Sequence, residues 1–308
     1  MDDLVDQLTE TFHVDPNALG KAAEQQAKRR EEALVRQRDS RTDRFNRLRK
    51  LALDEEYEDD EEEVEKQQAL DLRKRRPHIF RYADQLMLSE WLIDIPEMLS
   101  AEWTMIPAPV GKRVLVVASR GTTTAYNKAG RMVTQFQSRL PGGSSATSAS
   151  YTIVDAIMSD KTIYCLDLLC WNQMNVADNP VDLRHFLLDS KLEEMPELAV
   201  SSKKNKFSIR KLPHCKCTPE AMTEMMSSDF DFDLLDGLLF YYTEAQYEAG
   251  QSALVGWLKP WMLPEVLNVP VSERFLAGKE DRTTQQFIES YNSTHGHQSK
   301  IEKGMECE

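Results

Sequence analysis

Arginine is the residue type with the clearest binding chemistry in this sequence, and it is concentrated between Lys21 and Lys50. The basic side chains of this segment that could bind a partner include Arg29, Arg30, Arg36, Arg38, Arg41, Arg44, Arg47, Arg49 and Lys50. A guanidinium group pairs with a carboxylate through two parallel hydrogen bonds, so this composition favours an acidic partner that wraps around the segment. A solvated charged helix and an RNA-binding arm are equally open interpretations of the composition alone.

The segment that carries these arginines is predicted to be helical. Neither proline nor glycine interrupts residues 21–57, so one long helix fits the sequence. Its apolar positions are sparse, and a helix that is polar almost all round needs a partner or frays. An acidic block at 54–65 and a basic cluster at 73–77 follow, and we expect both to belong to a solvated linker.

The acidic N-terminal segment carries a set of spaced apolar residues. They are Met1, Leu4, Leu8, Phe12 and Val14. The first four share one face of a helix, and the fifth follows at the two-residue step of an extended chain. We expect Pro16 and Gly20 to end this short helix, which would either dock on the protein's own core or bind another protein.

Cysteine and histidine are the residues in this sequence most able to bind zinc. The sequence HCKC, residues 214–217, has suitable ligand types, but no second cluster of Cys or His stands at zinc spacing. We therefore predict a surface loop and no metal site. The cysteines, which number 5, form no even disulfide framework, and buried reduced thiols are typical of a reducing compartment.

The overall charge limits the possible function classes. The formal net charge is -13, so the surface as a whole should repel a phosphate backbone, and any contact with nucleic acid must be local. The N-terminus lacks the basic flank and apolar core of a secretory signal, and no apolar run is long enough to cross a bilayer. We expect a soluble cytosolic or nuclear protein.

The elements that would position a binding site begin at His78, where β-branched and aromatic runs replace the charged segments. Strands are predicted at RVLVVAS (113–119), YTIVDAI (151–157), TIYCLDLLCW (162–171) and DGLLFYYT (236–243). Helical patterns occur at 82–99 and at 218–228, the second with Thr218 as N-cap before Pro219. This arrangement predicts an α+β domain that ends near Val271.

The order of these core segments resembles that of the GTP-dependent mRNA capping guanylyltransferases and nucleic-acid ligases. RVLVVASRGTTTAYNKAG is similar to their first hairpin, YTIVDAI and TIYCLDLLCWN to the following strands, and LLDGLLFYY and LVGWLKP to their last two nucleotide motifs. The resemblance covers most of residues 109–262 and implies the nucleotidyltransferase fold, with a mainly antiparallel sheet core.

The residues that perform chemistry in those enzymes are missing here. Their nucleophile is a lysine just before the first hairpin, where this chain has Ala108, and alanine cannot attack phosphorus. Their central strand ends in Asp-Gly-Glu, where this chain has Asp155 to Ile157, and Trp257 stands where a lysine holds the α-phosphate. The resemblance therefore implies a guanine-nucleotide pocket without catalysis. The alternative is a divergent guanylyltransferase that uses Lys112 or Lys128 as its nucleophile.

Trp257 suggests which nucleotide this pocket would bind. An indole ring stacks on a base, and a methylated guanine, which carries positive charge, adds a cation–π interaction. A methylated cap fits this arrangement better than a free nucleotide, although core packing is the commoner role of an isolated tryptophan.

The whole chain from residue 1 to about Val271 also resembles the snurportins, import adaptors for spliceosomal small nuclear ribonucleoproteins with a trimethylguanosine cap. The segments that carry this resemblance are YADQLMLSEWLID, PVGKR, VASRG, LPGG, DGLLFYY and LVGWLKP, together with the basic helix. The resemblance implies a protein that is not an enzyme and needs no cofactor. It also implies that the protein moves between nucleus and cytoplasm.

The resemblance assigns a cap-contacting role to a specific set of residues. They are Trp257, Trp91, Ser89, Leu88, Lys112, Arg113 and Lys128. Trp257 would stack on the methylated guanine, and Trp91 would pack against the dimethylated exocyclic nitrogen. Ser89 and Leu88 would hydrogen-bond the base edge. The three cations would bind the triphosphate bridge.

The resemblance also divides the chain into functional segments. Residues 1–20 would bind an exportin through the spaced apolar residues, residues 21–57 would bind importin-β through the arginines, and 58–77 would be a linker. Residues 78–271 would bind the cap of the U small nuclear RNA, and 272–308 would be a flexible tail. Neither a membrane nor DNA is expected as a partner.

Overall fold

The computed structural model describes residues 16–39, 49, 51–53, 82–276, 279 and 283–292. The predicted exportin-binding residues, the acidic block and the basic cluster at 73–77 lie outside this part of the chain. The strands within it are β1 (Met87–Trp91), β2 (Trp103–Pro109), β3 (Lys112–Ser119), β4 (Thr122–Tyr126), β5 (Met132–Phe136), β6 (Tyr151–Ser159), β7 (Thr162–Trp171), β8 (Met174–Asn175), β9 (Ser208–Lys211), β10 (Cys215–Lys216), β11 (Leu235–Tyr242) and β12 (Gly250–Leu258). The helices are α1 (Pro16–Asp39), α2 (Leu99–Glu102), α3 (Val181–Glu194), α4 (Pro219–Ser227), α5 (Leu263–Val266) and α6 (284–292).

These strands form two sheets. The larger has the order β5-β4-β3-β6-β7-β8, with β9 paired to β7, and the smaller has the order β1-β12-β11-β2-β10. The β1–β12 and β7–β9 pairs are parallel, and the other pairs are antiparallel. The fold is therefore α+β with mainly antiparallel sheets, which confirms the predicted fold class.

Alternating side chains divide the smaller sheet into two apolar faces, because successive residues of a strand point in opposite directions. The face towards the larger sheet contributes to an inner cluster that includes Ile106, Leu115, Ile153, Leu239 and Val255. The opposite face contributes to an outer cluster that includes Trp103, Met105, Phe240, Leu258 and Met262. The inner cluster is the layer in which the two sheets meet.

The predicted N-cap at Thr218 is confirmed. The Thr218 hydroxyl accepts a hydrogen bond from the Ala221 amide at 3.2 Å, and Pro219 occupies the first position of α4. Proline fits there because the first amides of a helix have no partner within the helix. The buried Met222 and Met226 of α4 pack into the outer cluster.

The predicted helix at residues 82–99 is wrong, because β1 lies in its middle. Short apolar runs fit both periodicities, and here the edge of β12 decides the outcome by pairing with β1. The register of this pair shifts between Ser89 and Glu90 and then aligns Trp91 with Trp257. A helix forms only at α2, after Pro96.

The basic segment is helical, but its limits differ from the expected ones. The helix α1 begins at Pro16 and continues through Gly20, so Gly20 does not interrupt the helix as expected, and the residues before Pro16 lie outside the described part of the chain. Proline is compatible with the first turn of a helix, and one glycine costs only about 1 kcal/mol relative to alanine. Residues 51–53 are also helical, and the buried Leu51 accepts a hydrogen bond from the Tyr82 hydroxyl through its carbonyl oxygen.

The polar C-terminal region is not uniformly without structure, because α6 packs on the domain. Its Ile288 is buried in the outer cluster, and the Phe287 ring contacts the rings of Trp91 and Trp261. The prediction of a flexible tail is therefore wrong for 284–292, because two adjacent apolar residues of this segment pack against the outer cluster. In the part of the chain that the structure describes, no helix combines the length and apolar character needed to span a bilayer.

Candidate functional site

Trp257 lies near the end of β12, and its indole ring packs against the backbone of the neighbouring strand. A Cβ atom at Gly237 of β11 would lie 2.1, 2.4 and 2.7 Å from atoms Cζ2, Cη2 and Cε2 of the ring. The side chain is partly buried and packs against the inner cluster. The ring therefore rests on the smaller sheet and keeps part of its surface exposed.

A cation and a carboxylate flank this indole. The Nζ atom of Lys259 lies 5.6 Å from the centre of the Trp257 ring. The same ammonium group donates hydrogen bonds to the Asp236 carboxylate at 2.6 Å and to the Asp236 carbonyl at 3.0 Å. Because the two charges compensate each other, a positively charged base could approach the ring without strong repulsion from Lys259.

The backbone of Trp91 lies beside that of Trp257, but the two rings lie in different environments. Trp91 pairs with Trp257 in the parallel register of β1 and β12. Its ring makes edge contacts with Phe287 and Tyr291 at centroid distances of 6.0 and 5.3 Å, in the outer cluster. The structure thus brings together the two backbone positions, while the rings of Trp91 and Trp257 pack against different clusters.

Leu88 and Ser89 lie on the same strand as Trp91. They pair with Gln251 and Ser252 of β12, and both side chains are partly exposed. Leu88 packs against the inner cluster, as Trp257 does. Both residues therefore lie on the smaller sheet, with Leu88 three positions and Ser89 two positions before Trp91.

Arg113 is the predicted phosphate ligand whose charge is already paired. Its Nε and Nη2 atoms donate to the Asp155 carboxylate at 2.5 and 2.8 Å, and the Asp155 side chain is fully buried. Burial acts to lower the pKa of Arg113, but the charge of Asp155 and the hydrogen bonds to it hold that pKa well above its ordinary value. Arg113 is therefore a fixed cation whose charge Asp155 offsets.

Asp155 also connects Arg113 to β1. The Tyr247 hydroxyl donates to Asp155 at 2.7 Å and accepts a hydrogen bond from the Met87 amide at 3.0 Å. Burial and the nearby carboxylate raise the pKa of Tyr247 well above its ordinary value, so this hydroxyl remains a donor. No sequence motif indicates this network, since its members are far apart along the chain. Lys112 and Lys128, the other predicted phosphate ligands, are exposed.

Ala108, which the sequence comparison placed where a nucleophile was expected, lies within the smaller sheet. Ala108 of β2 is 1% exposed and pairs with Gly237, the glycine under the Trp257 ring. Two small residues therefore stand side by side, one on β11, which borders β12, and one on β2 beyond it. Among the described residues, no group of three or more His, Cys, Asp or Glu side chains could hold a metal ion.

The HCKC sequence is not the expected surface loop. Cys215 and Lys216 form β10 at the edge of the smaller sheet, and Cys217 is fully buried. Burial raises the pKa of Cys215 to about 11 and that of Cys165 to about 12, so these thiols remain protonated. The cysteines at 165, 170, 215 and 217 are free, as expected for reduced thiols.

The arginine-rich helix α1 contacts the end of β1 and the residues that follow it. Arg29 donates to the Glu90 carboxylate at 2.6 and 3.3 Å, and this hydrogen bond raises the pKa of Arg29. Arg30 forms an ion pair with Asp94 and donates to its carbonyl oxygen at 3.1 Å. Burial lowers the pKa of Arg30. Two of the predicted importin-β ligands are thus engaged with carboxylates of the domain.

Other contacts of α1 follow the same pattern. Arg36 lies 3.8 Å from the Glu248 carboxylate, and Gln26, which is 2% exposed, bonds to the backbone after β1. The acidic partner that composition favoured is therefore found, for these arginines, within the chain itself. Arg49 is helical and exposed. The side chains of Arg38, Arg41, Arg44, Arg47 and Lys50 lie outside the described residues.

The site, then, combines a partly exposed tryptophan with small neighbours and basic side chains, and comparison with known proteins gives it a family. Residues 85–260, more than half of the chain, match the model of the Snurportin1 m3G cap-binding domain. The chain belongs to the snurportin family. The matched region contains β1, β11 and β12, with predicted cap-contacting residues on β1 and β12.

Solved structures similar to this snurportin-family chain include DNA ligases. The ligase domain of LigD from M. tuberculosis is 14% identical, with a TM-score of 0.37 over 56% of this chain and 58% of that chain. Chlorella virus DNA ligase-adenylate is 10% identical, with a TM-score of 0.35 over 57% of this chain and 67% of that chain. The match spans little more than half of the LigD domain, and at these values it carries no statement about activity.

Proposed function

We propose that this protein is a nuclear import adaptor that binds the trimethylguanosine cap of spliceosomal small nuclear RNAs and does no chemistry on it. The observation that carries the cap-binding part is Trp257, a partly exposed indole on β12 inside the matched cap-binding domain. Stacking and a cation–π interaction give this ring a high affinity for a guanine that carries positive charge through methylation. Trp257 would therefore be the platform for the cap.

Charge supports recognition of a cap rather than of an RNA backbone. The exposed Lys112 and Lys128 and the partly exposed Arg113 would bind the triphosphate bridge. The net charge of -13 discourages binding along a longer nucleic acid. Ser89 and Leu88 would contact the base edge. Trp91 would reach the exocyclic methyl groups only after its ring leaves Phe287 and Tyr291.

The test of this proposal is binding of a trimethylated cap dinucleotide, measured by quenching of tryptophan fluorescence. Trp257→Ala removes a stack worth about 1–3 kcal/mol and a cation–π term of up to about 2 kcal/mol, so affinity should fall by at least about 5-fold and by up to a few thousand-fold. Phe186→Ala is the matched control, because this exposed aromatic ring lies on α3, away from β12. Unchanged binding by a folded Trp257→Ala protein would refute the assignment.

The absence of catalysis is also part of the proposal. Ala108 cannot act as a nucleophile, and Arg113 already engages the Asp155 carboxylate of the central strand. A divergent guanylyltransferase would need Lys112 or Lys128 to attack the α-phosphorus of GTP. Incubation with labelled GTP and magnesium, followed by a denaturing gel, separates the two functions. We expect no covalently labelled protein, and a labelled band would favour the enzyme.

The transport partners are proposed from the N-terminal segments. The arginines of α1 and of residues 40–50 would bind importin-β, and the apolar residues Met1 to Val14 would bind an exportin that returns the protein to the cytoplasm. Replacing Arg41, Arg44 and Arg47 with alanine should abolish retention on importin-β, and Leu8→Ala with Phe12→Ala should abolish retention on the exportin. Neither set should change cap affinity, and loss of cap binding in either variant would contradict separate segments.

A further inference from the structure

Gly237 requires an explanation because it lies inside a strand, where glycine weakens the structure and often marks the close approach of another group. Its φ angle is not in the left-handed region that favours glycine, so the backbone itself accepts any residue here. What excludes a larger residue is the lack of space next to its Cα atom. The atoms nearest to an added Cβ all belong to the Trp257 indole, the closest at 2.1 Å.

We infer that Gly237 is a positioning residue for cap recognition, because it lets the Trp257 ring lie against β11 in the orientation that stacks on the methylated base. This inference rests on the proposed cap-binding function. Carbon atoms pack best at about 3.5–4.0 Å, so a methyl group at Gly237 would force the indole to move by more than about 1 Å. A ring displaced from this position would project into the space proposed for the base.

The neighbouring strands support this role. Gly237 pairs with Ala108 of β2 on one side, and on the other side Trp257 of β12 pairs with Leu239, two residues along β11 from Gly237. The indole and the two small residues thus occupy three adjacent strands of the smaller sheet. Alanine at 108 removes the nucleophile of the related enzymes, and glycine at 237 provides the space that the aromatic platform needs.

The direct test is Gly237→Ala, with the affinity for a trimethylated cap dinucleotide measured by titration. Base stacking on an aromatic ring is worth about 1–3 kcal/mol, so loss of the stack should weaken binding by about 5- to 150-fold. The matched control is Gly256→Ala. That methyl group would meet Leu92, with the nearest atom at 2.9 Å, and it lies next to Trp257 in sequence but points to the opposite face of the strand.

Gly256→Ala should lower stability and leave cap affinity unchanged. If Gly237→Ala binds the cap as the unmodified protein does, or if Gly256→Ala loses as much affinity, Gly237 does not position the platform. These comparisons separate a positioning role from a general loss of packing.

A rescue experiment tests the contact itself. The atoms that clash belong to the six-membered part of the indole, which a phenyl ring at position 257 would not fill. The double variant Gly237→Ala with Trp257→Phe should therefore be as stable, and bind as tightly, as Trp257→Phe alone. Additive losses would show that the methyl group acts elsewhere. If Gly237→Ala does not fold, folding of the double variant supports the inference, and failure of both overturns it.

The same variants distinguish this inference from the proposed function. If the unmodified protein does not bind the trimethylated cap, the proposed function is wrong, whatever Gly237 does. The unfolding free energies of the unmodified protein, the two single variants and the double variant can be compared without ligand. If Gly237→Ala lowers the unfolding free energy equally with Trp and with Phe at position 257, the inference is overturned even if the cap binds.

Discussion

Replacing Gln26 with alanine should weaken the attachment of α1 to the domain while leaving the two sheets intact. Gln26 is 2% exposed, and its Oε1 atom accepts hydrogen bonds from the amides of Ile93 and Asp94 at 3.1 and 2.9 Å. Its Nε2 atom donates to the Trp91 carbonyl at 2.7 Å. One side chain of the helix thus satisfies the backbone where the chain leaves β1.

The expected change in the free energy of α1 opening depends on which backbone groups lose a hydrogen-bond partner. The Ile93 amide also donates to the Trp91 carbonyl at 3.0 Å, so these two groups keep each other as partners. The Asp94 amide loses the acceptor that Gln26 provides, and a buried donor without a partner costs about 1–3 kcal/mol. Detachment of α1 would admit water to this amide. We therefore expect the free energy of α1 opening to fall by about 1–3 kcal/mol, which is roughly a 5- to 150-fold change in the opening equilibrium.

Hydrogen–deuterium exchange measured by mass spectrometry is the assay for this change. Amides in residues 22–37 should exchange roughly 5- to 150-fold faster in Gln26→Ala, and those in β6 and β7 should exchange at the original rate. The matched control is Gln25→Ala, which makes the same substitution at an exposed neighbour on the same helix. Gln25→Ala changes helix propensity by the same amount as Gln26→Ala, but it replaces an exposed side chain. It should therefore change the exchange rates little.

Two outcomes would refute this reasoning. Equal acceleration in Gln25→Ala and Gln26→Ala would mean that helix propensity, and not the contact with β1, controls the opening of α1. Equal acceleration in α1 and in the sheets would mean that α1 opens only when the whole domain unfolds.

The remaining predictions concern buried charge and acid. Asp167→Asn should cost about 3–5 kcal/mol of unfolding free energy in urea titrations, since it breaks a fully buried ion pair with Arg184. Asp231→Asn, whose partner Arg210 is exposed, should cost less than about 1 kcal/mol, and equal losses would contradict the role of burial. Burial lowers the pKa of His185 to about 4, so the unfolded state binds more protons below its own pKa near 6.5. Stability should therefore fall as the pH is lowered from about 6.5 towards 4, by up to about 1.4 kcal/mol per pH unit. His185→Phe should remove this part of the pH dependence, and an unchanged profile would contradict it.

The sequence was sufficient to predict features that depend on near neighbours along the chain. The Thr218 cap needed only an oxygen placed before Pro219, and α4 follows in the structure. Runs of β-branched and aromatic residues located β3, β6, β7 and β11, because strand preference is a property of a short segment. The place of Trp257 on a strand also needed no three-dimensional information.

Tertiary structure decided the features that depend on contacts between distant segments. The residues of β1 are strand because the edge of β12 pairs with them, which local periodicity could not show. Arg113 is paired because the fold brings Asp155 of the adjacent strand β6 within hydrogen-bond distance, and Trp91 is partly covered because α6 packs on the outer cluster. Sequence indicated which residues could bind a methylated base or a carboxylate. The fold decided which of them already have a partner, because those partners come together only when distant strands and helices pack.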